Sequence, residues 1–159
     1  MKKIFLFVAA LTLSLTSCSS DDNSGGNGGN GNSVLKVTIN GVQKTFNSVV
    51  VNKNTETYDG ETWVELRVTA TINNDPSEMI TFYVDEGDVG AYTIWSFEYS
   101  KDATSFSTNG GDITFSSVVQ TNSNGKLKGT FTGSLSSWSN QNQEYTYITT
   151  TNGSFDISY

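Results

Sequence analysis

The sequence predicts an all-β domain over residues 34–159, built as a single antiparallel β-sandwich or an up-and-down β-barrel. Three observations predict it. Apolar and polar residues alternate with a period of two, clusters of Gly, Asn and Asp interrupt that alternation at short intervals, and no ten-residue window places its apolar side chains on one helical face.

The elements follow in order. Asn40-Gly41 is a two-residue type I′ hairpin signal, which pairs Ile39 with Val42 and Leu35 with Phe46 on one face. Thr62 to Ile72 alternates most cleanly. Val64, Leu66, Val68, Ala70 and Ile72 share one face, and Trp63, Glu65, Arg67, Thr69 and Thr71 share the other. Met79 to Val84 turns Ile80, Phe82 and Val84 inward and Thr81 and Tyr83 outward. Ile113 with Phe115, then Leu127, Phe131 and Leu135, then Phe155, Ile157 and Tyr159 continue the pattern. Breaks are expected at Asn73-Asn74-Asp75-Pro76, Asp85 to Gly90, Asn109-Gly110-Gly111, Asn122 to Gly125 and Asn152-Gly153.

The amino terminus carries an address. Lys2 and Lys3 precede an apolar run from Ile4 to Leu15, which as a helix would reach roughly 18 Å against a hydrocarbon core of about 30 Å. The run is too short to span, and its flanks are those of a cleaved export signal over residues 1–17. Leu15-Thr16-Ser17-Cys18 resembles a bacterial lipobox, in which small residues fit a peptidase site and the thiolate accepts a diacylglyceryl group. Cys18 is therefore the expected lipidation site. Two or three acyl chains there would hold the protein on a membrane almost permanently. Residues 19–33 (SSDDNSGGNGGNGNS) contain nothing apolar to bury, so residues 18–33 are expected to be a flexible tether. It would span roughly 20 Å on average and about 50 Å when taut.

With Lys2 and Lys3 removed, the nine Lys and Arg become seven against 16 Asp and Glu, a net charge near −9. That argues against nucleic acid and against a polybasic grip on anionic lipid. Cys18 is the single cysteine, so the domain has no disulfide and must rely on its core. The chain has no histidine, which removes Ser-His-Asp and Cys-His catalysis and His-containing zinc sites from consideration. No cofactor is called for.

Thr38-Ile39-Asn40-Gly41, Gly90-Ala91-Tyr92, Gly111-Asp112-Ile113-Thr114, Lys128-Gly129-Thr130-Phe131 and Asn152-Gly153-Ser154-Phe155 resemble segments of Bacteroidetes-type single-domain lipoproteins. The resemblance covers signal, tether and most of the β domain. It implies an outer-membrane, lipid-anchored location, and Asp21-Asp22 looks like the acidic signal that directs such proteins to the cell surface; the periplasmic face is the alternative. It implies no catalytic residue.

Candidate chemistry is sparse. Asp85, Glu86 and Asp88 could offer oxygen ligands to Ca²⁺, but the run lacks the alternating spacing and distal bidentate Glu of a calcium loop, which favours a solvated turn. Ser123-Asn124-Gly125-Lys126 fits S-x-x-K without the helix that this motif needs. Glu65 and Glu144 are the acids set in strands beside aromatics, where glycoside hydrolysis would require them to face each other. Outward-facing aromatics are the better lead. Trp63 and Tyr83, with Arg67 and with Trp95, would form a ligand-binding face, which Tyr99, Trp138, Tyr145 and Tyr147 could join. The expected function is a non-catalytic binding module for a glycan or protein ligand. The alternatives are a structural or accessory subunit of an outer-membrane complex, or a barrel carrying a small apolar ligand.

Overall fold

The computed structural model describes residues 33–159. The expected export signal, Cys18, Asp21-Asp22 and all but the last residue of the expected tether lie outside the described residues. Every regular element among those described is a strand: β1 (Val34–Ile39), β2 (Val42–Phe46), β3 (Ser48–Tyr58), β4 (Glu61–Ile72), β5 (Asp75–Asp85), β6 (Gly90–Ala91), β7 (Ser96–Lys101), β8 (Thr104–Ser107), β9 (Phe115–Ser123), β10 (Lys126–Ser139) and β11 (Glu144–Ser158). The fold is all-β, as the alternation predicts.

The strands form one antiparallel sheet in the order β2-β1-β11-β10-β8-β7-β5-β4-β3, curled into a half-barrel. The two ends of this path, β2 and β3, are joined by the single residue Asn47. Its side chain pins the corner, donating to Asn73 Oδ1 at 2.8 Å and accepting from Asn73 N at 2.8 Å. The path branches at β10. Residues 126–133 of β10 pair with β9, which in turn pairs with β6, whereas β8 meets β10 only at Ser136↔Ser107.

Turn chemistry sets much of this register. Asn40 and Gly41 both adopt positive φ (47° and 81°), as a type I′ turn requires, and the pairs Ile39↔Val42 and Leu35↔Phe46 follow. Leu35 and Phe46 are fully buried, but Val42 is 59 % exposed because the hairpin tip overshoots the core. Asp59-Gly60 and Asn73-Asn74 use the same φ signs to turn β3 into β4 and β4 into β5.

Two expected breaks are absorbed into strands. Pro76 lies inside β5, next to the register shift at Thr71/Ile72, where a missing N–H is tolerated. Asn152-Gly153 lies inside β11: Asn152 takes φ 52° and a bulge shifts the register against Phe131/Gly133 without ending the strand.

The interior is aromatic. Phe82 lies 6.0 Å from Phe97 and 5.2 Å from Phe155, and Phe97 lies 4.6 Å from Phe131, between ring centroids. The segments Gly129-Thr130-Phe131 and Gly153-Ser154-Phe155 pair antiparallel, so Gly129 faces Phe155 and Phe131 faces Gly153. Each ring lies over the partner's glycine. A Cβ on Gly129 would meet the Phe155 ring at 2.5 Å, and one on Gly153 would meet the Phe131 ring at 2.6 Å. Phenylalanine thus covers a backbone that only glycine leaves open, and both rings stay buried.

Two Lys–Glu–Tyr clusters lie near opposite ends of β5. At its start Lys44 Nζ is 2.6 Å from Glu78, which also accepts from Tyr99 Oη at 2.7 Å. Just past its end Lys53 Nζ is 2.8 Å from Glu86, which accepts from Tyr159 Oη at 3.2 Å. The first is mostly buried and the second more exposed.

Candidate functional site

Of the residues named for the face, Trp63 and Arg67 lie on β4, Tyr83 lies on β5, and Trp95 lies just before β7. Arg67 and Tyr83 are directly opposed across the strands, and the Arg67 guanidinium lies 5.9 Å from the centre of the Tyr83 ring, within cation–π range. The Trp95 backbone N–H donates to Tyr83 O at 3.3 Å, which brings the indole against Tyr83 with centroids 5.0 Å apart. Tyr83 is half-buried between these neighbours, and Trp95 remains 53 % exposed. Trp63 is exposed on the same face, but four residues along β4 from Arg67 put it about 13 Å away at strand spacing. The structure therefore brings Arg67, Tyr83 and Trp95 together and leaves Trp63 as a separate projection.

Acids crowd this face. Glu65 pairs directly with Asp85, and Glu56 pairs with Trp63 one strand over. Burial, then Glu56 and Asp85, raise the Glu65 carboxyl above its ordinary range, and Arg67 only partly relieves it. Burial and Asp88 raise Asp85, with a Trp95 hydrogen bond pulling the other way.

The acidic turn is a structural turn. Among the described residues no group of three His, Cys, Asp or Glu side chains converges as a metal site. The candidates Asp85, Glu86 and Asp88 do not share a focus, because Glu86 turns to Lys53 and Tyr159. Buried Asn122 holds the turn instead, its amide donating to Asp85 O at 2.8 Å and Asp88 O at 3.1 Å. Burial and Glu86 push the Tyr159 hydroxyl up to about 12. The sequence pattern missed Asn122, whose role depends on partners more than 30 positions away.

The acid pair considered for hydrolysis is not brought together along the sheet: β5, β7, β8 and β10 separate Glu65 in β4 from Glu144 in β11. Ser123 and Lys126 flank a turn formed by Asn124 and Gly125, and Lys126 Nζ donates to Ser158 at 2.7 Å.

A second aromatic group lies elsewhere. Past Ser136↔Ser107 the edges of β8 and β10 are no longer paired, and a hollow of about 660 Å³ opens between them. Trp138 and Tyr145 are cross-strand partners on its β10–β11 wall, with centroids 4.9 Å apart in an edge-on arrangement. The loop before β9 crosses the same hairpin at Gly110 and Gly111, where added Cβ atoms would meet the Tyr145 and Tyr147 hydroxyls at 3.1 and 2.9 Å. An adjoining hollow of about 500 Å³ lies between Ile39, Tyr99 and Ile148, carries Lys44, Lys101 and Asp102, and shares Thr104 and Phe106 with the first. The stacked phenylalanines fill the interior beneath.

Comparison of the chain with family models, with curated proteins and with solved structures finds no match.

Proposed function

We propose that this protein is an extracytoplasmic lipoprotein, anchored through Cys18 to the outer membrane, that binds a protein partner through the outer face of β4 and β5. The observation that carries this reading is the packing of Tyr83 between Arg67 and exposed Trp95. Arg, Tyr and Trp are the side chains that most often dominate protein–protein binding energy, and here Arg67 and Tyr83 sit on paired strands with Trp95 in the segment just before β7. The directly paired carboxyls of Glu65 and Asp85 favour a partner that presents positive charge to this face. A Lys or Arg brought against them would relieve their mutual repulsion, so binding should be fastest at low salt.

The test is site-specific photo-crosslinking in intact cells with the full chain carrying the crosslinker at Thr69. One discrete adduct is expected. Tyr83→Ala with Trp95→Ala should reduce it roughly thirtyfold, the scale of losing a residue worth about 2 kcal/mol. An adduct of unchanged yield in that variant would refute the docking face. Cys18→Ala should release the protein from membranes, and persistent tight association would refute the anchor.

A further inference from the structure

We infer that the hollow between β8 and the far half of β10 is a second binding site, and that its ligand is an uncharged saccharide chain. The site is independent of the β4–β5 face, and the chemistry of its lining makes the case.

Its walls carry Ser, Thr, Asn, Ala, Phe, Trp and Tyr and no charged side chain. In a chain with 16 acidic and nine basic residues, that neutrality is a selective feature. Of the acids paired across from this wall, Glu98 opposite Ser107 is occupied by the hydroxyls of Ser100 and Ser105, and Glu144 opposite Ser139 is not among the lining side chains. An anionic or cationic ligand would lose hydration here without meeting a counter-charge. A purely apolar ligand would strip water from a hydroxyl-lined wall and leave those groups unpaired. A ligand that is neutral, rich in hydroxyls and apolar on one ring face satisfies both conditions.

Two of the wall's hydroxyls are set to donate, while those of Ser105 and Ser136 are spent on Glu98 and Gly110 O. Ser107 Oγ accepts from Asn109 N at 3.2 Å and Ser139 Oγ accepts from Asn142 N at 3.3 Å, so each hydroxyl is oriented by an acceptor contact and keeps its own proton. Trp138 is 47 % exposed and Tyr145 is 41 % exposed. The Trp138 indole N–H is taken by Asn140 Oδ1 at 3.0 Å, which fixes the ring and leaves its face as the surface on offer. A space of about 660 Å³ exceeds a single sugar ring and suits a short chain, which would end where the adjoining hollow turns charged at Lys44, Lys101 and Asp102.

The experiment is calorimetric titration of the full-length protein in detergent with neutral hexasaccharides of glucose, mannose and xylose. Acidic oligogalacturonate and a neutral Gly/Ser/Thr hexapeptide serve as comparators. At least one neutral hexasaccharide should bind, and more tightly than its disaccharide. Trp138→Ala should weaken that binding about tenfold or more, the scale of one lost aromatic stack. Trp138→Phe should restore most of it, and Trp95→Ala should leave it unchanged. Unaltered melting of each variant confirms folding, which is expected because Trp138 is exposed. The inference is overturned if no neutral hexasaccharide binds, if Trp138→Ala binds as well as the parent, or if the charged oligomer or the peptide binds in preference.

Discussion

Strand β10 has two halves that behave differently. From Lys126 to Gly133 it is bonded on both sides, to β9 and to β11, and its glycines and phenylalanines interlock with those of β11. Beyond Gly133 it keeps β11 but meets β8 at one residue pair, and the space alongside stays hollow. One strand thus supplies the glycine–phenylalanine interlock in one half and, in the other, a wall of the hollow that holds Trp138 and Tyr145. Stability and recognition are separated along its length, so substitutions in one half should spare the property held by the other.

The largest effect should come from the closed half. Phe155→Ala removes a fully enclosed ring that covers Gly129, and should cost about 3–5 kcal/mol in urea unfolding while leaving saccharide titration of the folded fraction unchanged. A smaller loss, about 1–3 kcal/mol, is expected for Gly129→Ala, whose methyl would press on Val118 O at 2.4 Å and on the Phe155 ring. If either substitution proved neutral, the interlocked packing would not be the seat of stability.

Acid should act away from β10, on the carboxyls of β4 and β5. Burial alone would raise Glu78, but Lys44 and Tyr99 outweigh it and hold the carboxyl below its ordinary range. A depressed folded-state pKa stabilises at pH above the unfolded value, and the contribution is lost as pH falls through the folded one. Denaturant midpoints should therefore drop below about pH 4.5, and Glu78→Gln should flatten that drop. Glu65 and Asp85 have the opposite sign: their raised values favour folding at low pH, an advantage lost as pH rises through them. Arg67→Ala, which deprives Glu65 of its relief, should steepen that loss.

The smallest effect is a gain. Ala103 turns β7 into β8 at φ 64°, a left-handed conformation that costs a Cβ-bearing residue about 1 kcal/mol, and it lines the hollow. Ala103→Gly should raise stability by up to about 1 kcal/mol in the same titration, without improving saccharide binding.

The fold was legible where a local signal had one meaning. Alternation placed Leu66, Val68, Ala70, Ile80, Phe82 and Val84 inside, and Asn40-Gly41 gave the register of the first hairpin. Asn152-Gly153 misled because a bulge and a turn can both use a left-handed Asn, here Asn152 alone, and only the partner strand distinguishes them. The contact of Arg67 with Tyr83 could be anticipated from facing strands. That Trp95 joins them and Trp63 does not depends on the path between Gly90 and Ser96 and on the β4–β5 register. The hollow was not legible at all. Trp138 and Tyr145 are named by the sequence as aromatics, but the space beside them exists only because β8 stops pairing, which no local pattern encodes.

The first and last strands of the domain lie side by side. Ser33 Oγ accepts from Ser158 N at 3.0 Å, and β1 runs antiparallel to β11 toward the Asn40 tip that borders the adjoining hollow. If the lipid precedes Ser33, as proposed, membrane and bound polymer would grip opposite poles, separated by the length of β1. Traction on the polymer would pull β1 along its own axis, loading its hydrogen bonds to β2 and β11 together in shear instead of peeling them one at a time. Resistance to detachment would then be governed by how fast this seam ruptures under load, a rate that equilibrium unfolding does not report.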